Sequence, residues 1–201
     1  MINWLKRLLR RTPMARSTRA YAFALEKLSF PPQARVLDLG AGSGAGTAFL
    51  GRRLPEACVV GLDITMESLD RRSLPATPRP LHFVQASATA LPFEDGCLDG
   101  VMAVMTFHCL PKPQQVFREV ARALKPGGLF VLADVDGRHW IAPFFELVEH
   151  LFISPLTHAY RPEEVRALAQ QAGFTRVGIH HRDDREQGFL MWAVLQKGEA
   201  P

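Results

Sequence analysis

The chain has 201 residues, 47% of them hydrophobic and 22% charged, which is enough to bury one core and too few for a second large domain. No apolar run approaches the ~18 residues that span a bilayer, and the N-terminus has no secretion-type apolar stretch with a small-residue cleavage site, so a cytoplasmic protein is expected. The net charge of +4 comes from Lys6, Arg7, Arg10, Arg11, Arg16 and Arg19, which all precede the first acidic residue, Glu26; the remaining 18 basic and 20 acidic residues make a near-neutral body, with no nucleic-acid partner expected.

Residues 1–29 form a basic arm. Trp4, Leu5, Leu8 and Leu9 occupy one helical arc and Lys6, Arg7, Arg10 and Arg11 the other, until Pro13 ends the pattern. Such a wheel suits peripheral contact with an anionic membrane through residues 1–12, and equally suits docking of the apolar arc on the chain's own domain or on a partner subunit. The domain proper, 30–201, alternates short apolar runs with helical segments, the pattern of parallel strands joined by crossover helices. Strands are expected at Ala34–Leu39, Ala57–Asp63, Leu81–Ala86, Leu98–Val104 and Leu129–Ala133. Helices are expected at Gly44–Arg53, from Met66 to before Pro75, at Gln114–Leu124, around Phe144–Phe152 and at Pro162–Gln171. Lys125-Pro126-Gly127-Gly128 stops the third of these. Two late strands, Thr175–His181 and Gly188–Gln196, flank a charged turn short enough for an antiparallel hairpin. The fold class is therefore α/β, a doubly wound seven-stranded mixed sheet of Rossmann-like form ending in an antiparallel hairpin.

The most informative stretch is Val36-Leu37-Asp38-Leu39-Gly40-Ala41-Gly42-Ser43-Gly44, an apolar strand that runs through glycines into a helix. Glycines let the backbone turn tightly and approach a ligand, and a helix start presents free N–H groups. About twenty residues on, the second strand ends at Asp63, where a carboxylate can accept both hydroxyls of a ribose. Together they point to a nucleoside-containing cofactor. Gly40, Gly42 and Ala45 also satisfy a loose dinucleotide pattern, but Asp38 suits a ligand bearing an amino group better than a pyrophosphate.

The stretches VLDLGAGSG, GLDIT, LPFEDGCLDGVMAVMTFHCL and REVARALKPGGLFVLAD, in that order, resemble the motifs of class I S-adenosylmethionine-dependent methyltransferases, the group that includes quinone-biosynthesis and other small-molecule enzymes. The resemblance covers about residues 30–197 and implies S-adenosyl-L-methionine as cofactor. It places Asp38, Gly40 and Gly42 at the amino-acid end of the cofactor, Asp63 at the ribose and Ile64 on the adenine. Ala86-Ser87-Ala88 stands where the family usually has Gly-Asp-Ala beside the adenine, and Val104 where many relatives have a polar residue. Ser87, Ala88 and Val104 thus complete the expected cofactor wall without charge assistance, and these departures leave open a catalytically silent binding module. A nicotinamide-dependent dehydrogenase is the more distant alternative.

Methyl transfer from a sulfonium mainly requires alignment of the acceptor, with a general base helping where the acceptor is a hydroxyl or an acidic carbon. His108, just beyond the fourth strand, is the first candidate for that base and His139, after the fifth, the second. Asp99 is expected to bind nearby backbone. Asp134 and Asp136 are expected to be solvated loop carboxylates, and no metal site is read from them. Cys58, Cys97 and Cys109 show neither a disulfide nor a zinc spacing. Ile141, Phe144, Phe145, Val148, Leu151 and Phe152 share a helical face opposite Glu146, Glu149 and His150, which predicts a core-packing helix. Its surroundings at 137–160, with Trp140, His158 and Tyr160, suggest a lid over a small, apolar or aromatic acceptor.

Overall fold

The computed structural model describes residues 18–26, 28–69, 71–72, 74–152, 154–181 and 188–199; the basic arm before Thr18 and the turn at 182–187 lie outside the described residues. Helix α1 (Thr18–Glu26) leads into β1 (Arg35–Leu39), α2 (Ala45–Arg53), β2 (Cys58–Asp63), β3 (His82–Gln85) and β4 (Leu98–Val104). A short 3-10 turn (Phe107–Cys109), α3 (Pro113–Ala123), β5 (Leu124–Val135), α4 (Ala142–Phe152), α5 (Pro162–Gln171), β6 (Phe174–His181) and β7 (Leu190–Lys197) follow.

The seven strands form one sheet in the order β3-β2-β1-β4-β5-β7-β6. β1 to β5 pair in parallel, and β7 inserts antiparallel between β5 and β6. The expected doubly wound mixed sheet with an antiparallel end is therefore present. Parallel strands covered on both faces read as continuous apolar runs rather than alternating ones. Val101, Met102 and Ala103 of β4 and Phe130, Val131, Leu132 and Ala133 of β5 are accordingly all fully buried. One core cluster gathers Phe107, Phe117, Phe130 and Phe174 with α3 and α5; the other gathers α1, Val36, Met102, Val131 and Trp192.

Two local features depart from the sequence expectations. Lys125-Pro126-Gly127-Gly128 ends the preceding helix as expected, but the paired ladder resumes on both sides of it. Leu98 pairs with Leu124 and Gly100 with Leu129, so the four residues form an outward loop within β5. Asp99 sits opposite that loop, accepting from the Arg35 N–H at 2.8 Å and from Lys125 Nζ at 2.7 Å, which is the backbone-tying role expected of it. The helix expected from Met66 is absent among the described residues 64–69, which form a turn. Asp63 captures the Thr65 N–H there, and Leu69 swings beneath Gly44 instead of continuing an apolar stripe.

Candidate active site

The carboxyl ends of the parallel strands β1, β2, β3 and β4 define one edge of the sheet, and the residues expected to hold a cofactor lie along it or, for Asp38, beneath it. At the end of β1 the chain turns through Gly40, Gly42 and Gly44, with φ of 81°, 50° and 82°. Only glycine occupies this left-handed region freely, and here space matters as well. A side chain at Gly40 would run into Thr106, whose hydroxyl reaches the Gly40 carbonyl at 3.4 Å. A side chain at Gly42 would meet nothing closer than 4.0 Å and would project into the open crevice. The N–H groups of Gly40 and Ala41 donate to the Leu62 carbonyl at 2.7 and 3.0 Å, fastening the turn to β2.

Asp63 ends β2 facing that turn. Its Oδ2 accepts from the Gly42 N–H at 2.9 Å and its Oδ1 from the Thr65 N–H at 3.1 Å. Each oxygen keeps a further lone pair, and the residue is half-buried, so two hydroxyls can still be bound. Ile64, next to it, is 67% exposed although large and apolar, with its carbonyl fixed by the Gln85 amide. An exposed apolar side chain beside a half-buried carboxylate and an open glycine turn fits a nucleoside, which presents a flat base and a diol.

Asp38 occupies a different position from the one expected. It is wholly buried, its Oδ1 accepting from the Tyr21 hydroxyl at 2.7 Å and its Oδ2 from Thr47 Oγ1 at 2.6 Å. It supports the glycine turn from beneath rather than lining the crevice, because α1 lays Tyr21 across it. Burial pushes its pKa from 3.8 up to about 6; the hydrogen bonds from Thr47 and Tyr21 oppose that rise, and nearby Asp63 adds to it. The Tyr21 phenol is driven well above its ordinary value by burial and by the same carboxylate. Tyr21 and Thr47 carry no sequence signal for this role.

Ser87 follows β3, and its hydroxyl is shared with Thr89 Oγ1 at 2.8 Å. Ala88 and Val104 are buried, with 7% and 8% exposure, and contribute packing.

His108 lies on the turn after β4 and is 5% exposed. Its Nδ1 is 2.7 Å from Asp134 Oδ1, and its backbone N–H donates to Asp134 Oδ2 at 3.0 Å. Asp134 and Asp136 are thus not solvated loop carboxylates: they are 2% and 5% exposed and fully engaged. Asp136 binds Arg138 at 3.1 Å and His181 at 2.7 Å. With Nδ1–H given to Asp134, the Nε2 of His108 points toward Glu149 Oε2 at 3.9 Å, and the Phe145 ring stands edge-on to the imidazole at 5.0 Å. Burial opposes a charged imidazole, but the Asp134 carboxylate outweighs it, with a smaller contribution from Cys109, so the pKa stands well above the ordinary histidine value. His108, Cys109 and Glu149 bring donor atoms within 4.8 Å of one another. His139 stands apart on the loop after β5, accepting from the Ile141 N–H at 3.3 Å through Nδ1 and lying 5.7 Å from the Trp140 ring.

Glu149 was expected on the outer face of its helix. α4 is rotated from that expectation: Ala142, Phe145 and Glu149 face inward, and Phe144, Leu147 and Leu151 face out. Glu146 accepts from the Ala159 N–H at 2.7 Å, which fixes the rotation.

Comparison with known proteins agrees with this geometry. Residues 37–132 match the methyltransferase domain family. The chain is 37% identical over 180 residues to phthiotriol/phenolphthiotriol dimycocerosates methyltransferase 1 of Mycobacterium ulcerans, covering 82% of this chain and 64% of that protein. It spans only 38–40% of the length of several other mycobacterial relatives. An uncharacterized methyltransferase of Synechocystis is 33% identical over 166 residues, covering 81% of this chain and 76% of that one. Among solved structures, a SAM-dependent methyltransferase of Thermotoga maritima superposes with a TM-score of 0.73 at 18% identity, covering 98% of this chain and 96% of that one, which shows a shared fold. With its glycine turn, the carboxylate of Asp63 fastened to it and its 3-2-1-4-5-7-6 sheet, the chain belongs to the class I S-adenosylmethionine-dependent methyltransferases.

Proposed function

We propose that this protein binds S-adenosyl-L-methionine in the crevice between β1 and β2 and transfers its methyl group to a small apolar acceptor. The observation that carries the proposal is the open left-handed turn at Gly42, hydrogen-bonded to a half-buried Asp63 with Ile64 exposed beside it. When bound, the cofactor supplies a methyl group on a positively charged sulfur, already activated for displacement. Asp63 accepts the ribose hydroxyls, Ile64 packs on the base, and Gly40 and Gly42 leave room for the backbone to approach. Ser87, Ala88 and Val104 close the wall beside the base. Asp38 acts at one remove, fixing the turn and directing negative potential toward it.

His108 is the proposed acid-base group on the acceptor side. Asp134 fixes its tautomer, so Nε2 is the atom that takes a proton from an acceptor hydroxyl or carbon acid. Because its pKa is raised, transfer to such an acceptor increases with pH as the imidazolium is neutralised. His139, outside that hydrogen-bonded set, is the second candidate. The apolar character of the acceptor rests on the Phe145 ring against His108 and on the Mycobacterium ulcerans relative, named for phthiotriol and phenolphthiotriol dimycocerosates. Peripheral membrane contact through residues 1–12 is the matching expectation for access to such a molecule.

Calorimetry with S-adenosylmethionine, S-adenosylhomocysteine and nicotinamide dinucleotide tests the cofactor assignment. The two sulfur nucleosides are expected to bind, and Asp63→Ala to weaken both at least tenfold, about 1.4 kcal/mol. No binding by folded protein at millimolar cofactor would overturn the proposal. Transfer of labelled methyl from S-adenosylmethionine to fatty-acid or long-chain alcohol acceptors tests turnover, and binding without any turnover would identify a silent module.

A further inference from the structure

Six large apolar side chains are exposed among the described residues, and five of them fall between 140 and 156. Phe144, Leu147 and Leu151 are 65%, 54% and 63% exposed, spaced by three and four residues, and so form one stripe along the outer face of α4, while Trp140, 81% exposed, stands in the turn that leads into the helix. Leu156, just beyond, extends it. The stripe does not result from a loosely placed helix, because the inner face carries Phe145 on His108 and Glu146 on the Ala159 N–H. Contiguous apolar surface held outward by hydrogen bonds marks an interaction site.

The second observation is where the basic arm enters the fold. α1 begins at the same sheet edge as α4: Tyr21 touches Asp38 near the end of β1, and the Ala20 carbonyl accepts from Trp192, which pairs with Ala133 near the end of β5. The chain then descends, so that the Phe30 ring covers Gly100 near the start of β4. Residues 1–17, with Lys6, Arg7, Arg10, Arg11 and Arg16 and no acidic residue, therefore join the domain at the edge that presents the apolar stripe.

We propose that this edge is an anionic-lipid docking surface: the stripe Phe144–Leu147–Leu151, with Trp140 at its head, enters the interfacial layer while the basic arm holds the headgroups. Apolar insertion plus basic attraction is the combination that gives reversible attachment to a charged bilayer, and an exposed tryptophan is the side chain best suited to the interface. The proposal stands on the surface itself and does not require the methyl-transfer reading.

The test uses the full chain carrying Trp4→Phe, which leaves Trp140 as the exposed tryptophan, since Trp192 is buried. Phosphatidylcholine vesicles containing phosphatidylglycerol are expected to shift Trp140 emission to the blue, and brominated acyl chains to quench it. Phe144→Ser, Leu147→Ser and Leu151→Ser together are expected to weaken vesicle binding by about 10- to 100-fold, with S-adenosylmethionine binding retained. Vesicle binding without any change at Trp140 would mean that the arm acts alone and would overturn the proposal. So would a concentration-dependent dimer, abolished by the triple substitution, in protein that ignores vesicles: the stripe would then be covered by a second copy. Loss of cofactor binding with lipid binding intact would remove the enzymatic reading and leave this one standing.

Discussion

Replacing Asp38 with asparagine is expected to stabilise the protein at neutral pH, by an amount that grows with pH. The buried carboxyl titrates near 6 when folded and near 3.8 when unfolded. A carboxyl whose folded pKa is raised favours the folded state most below the unfolded value, where it is protonated in both states. That advantage is lost as pH rises through the folded value. The full penalty, two pKa units and a little more, is about 3 kcal/mol above pH 7, and about 2 kcal/mol of it accumulates between pH 4 and pH 7. Asparagine carries no such penalty and can still accept from Thr47 Oγ1 and face the Tyr21 hydroxyl with its amide. Altered hydrogen bonds add an offset that does not depend on pH, so the informative quantity is the change in the difference between variant and wild type. Urea unfolding followed by circular dichroism across pH 4 to 8 measures it. A difference that stays flat over that range would refute the claim that a desolvated charge sits beneath the glycine turn. The same substitution should weaken positively charged S-adenosylmethionine more than neutral S-adenosylhomocysteine, because the negative potential beneath the turn is removed.

Tyr21→Phe removes one of the two donors to Asp38 and is expected to lose about 1–3 kcal/mol, with the acid titration of stability displaced upward; denaturation of this variant across the same pH range checks both. Gly40→Ala should be severe, since the added methyl meets Thr106 at a left-handed residue, whereas Gly42→Ala should lose only about 1–2 kcal/mol of backbone strain yet markedly weaken the cofactor, as thermal melts with and without S-adenosylmethionine will show. Asp134→Asn should lower the His108 pKa, since its largest support is that carboxylate, and imidazole titration by NMR reports it directly. The raised pKa also means that His108 stabilises the fold below the ordinary histidine range and ceases to do so as pH climbs through its folded value, a dependence the Asp134→Asn variant should lack.

Much of this architecture is written locally. From Val101 to Val104 β4 reads as an apolar run because both its faces are covered, and the expected Leu98–Val104 matches the strand observed. The expected Pro162–Gln171 helix is likewise the observed α5, with Pro162 opening it and Glu164 closing the capping hydrogen bond to the Arg161 N–H. The glycine turn and Asp63 are legible for a different reason: each closes a strand with a residue type that carries its own signature, although the two are 21 residues apart and meet through the Gly42 N–H.

What escaped the sequence is long-range. Tyr21 and Asp38 are 17 residues apart and His108 and Asp134 are 26 apart, and nothing in either segment names its partner. Periodicity showed that α4 has an apolar face but could not say which face the protein would bury. The decision falls to polar contacts, Glu146 with the Ala159 N–H and Glu149 beside His108 and Cys109, which turn Phe144 and Leu151 outward.

The placement of β7 has a consequence for how the molecule is assembled. It is the last of the described strands in sequence yet takes the sixth position in the sheet, between β5 and β6, and its Trp192 supplies the hydrogen bond and the ring contact that seat Ala20 and Phe23 of α1. During synthesis α1 emerges before β7 and has no complete seat until β7 has been made. The tyrosine that covers Asp38 is therefore locked down only once β7 is in place, which ties a finished crevice at the first strand to the pairing of a strand made long after it.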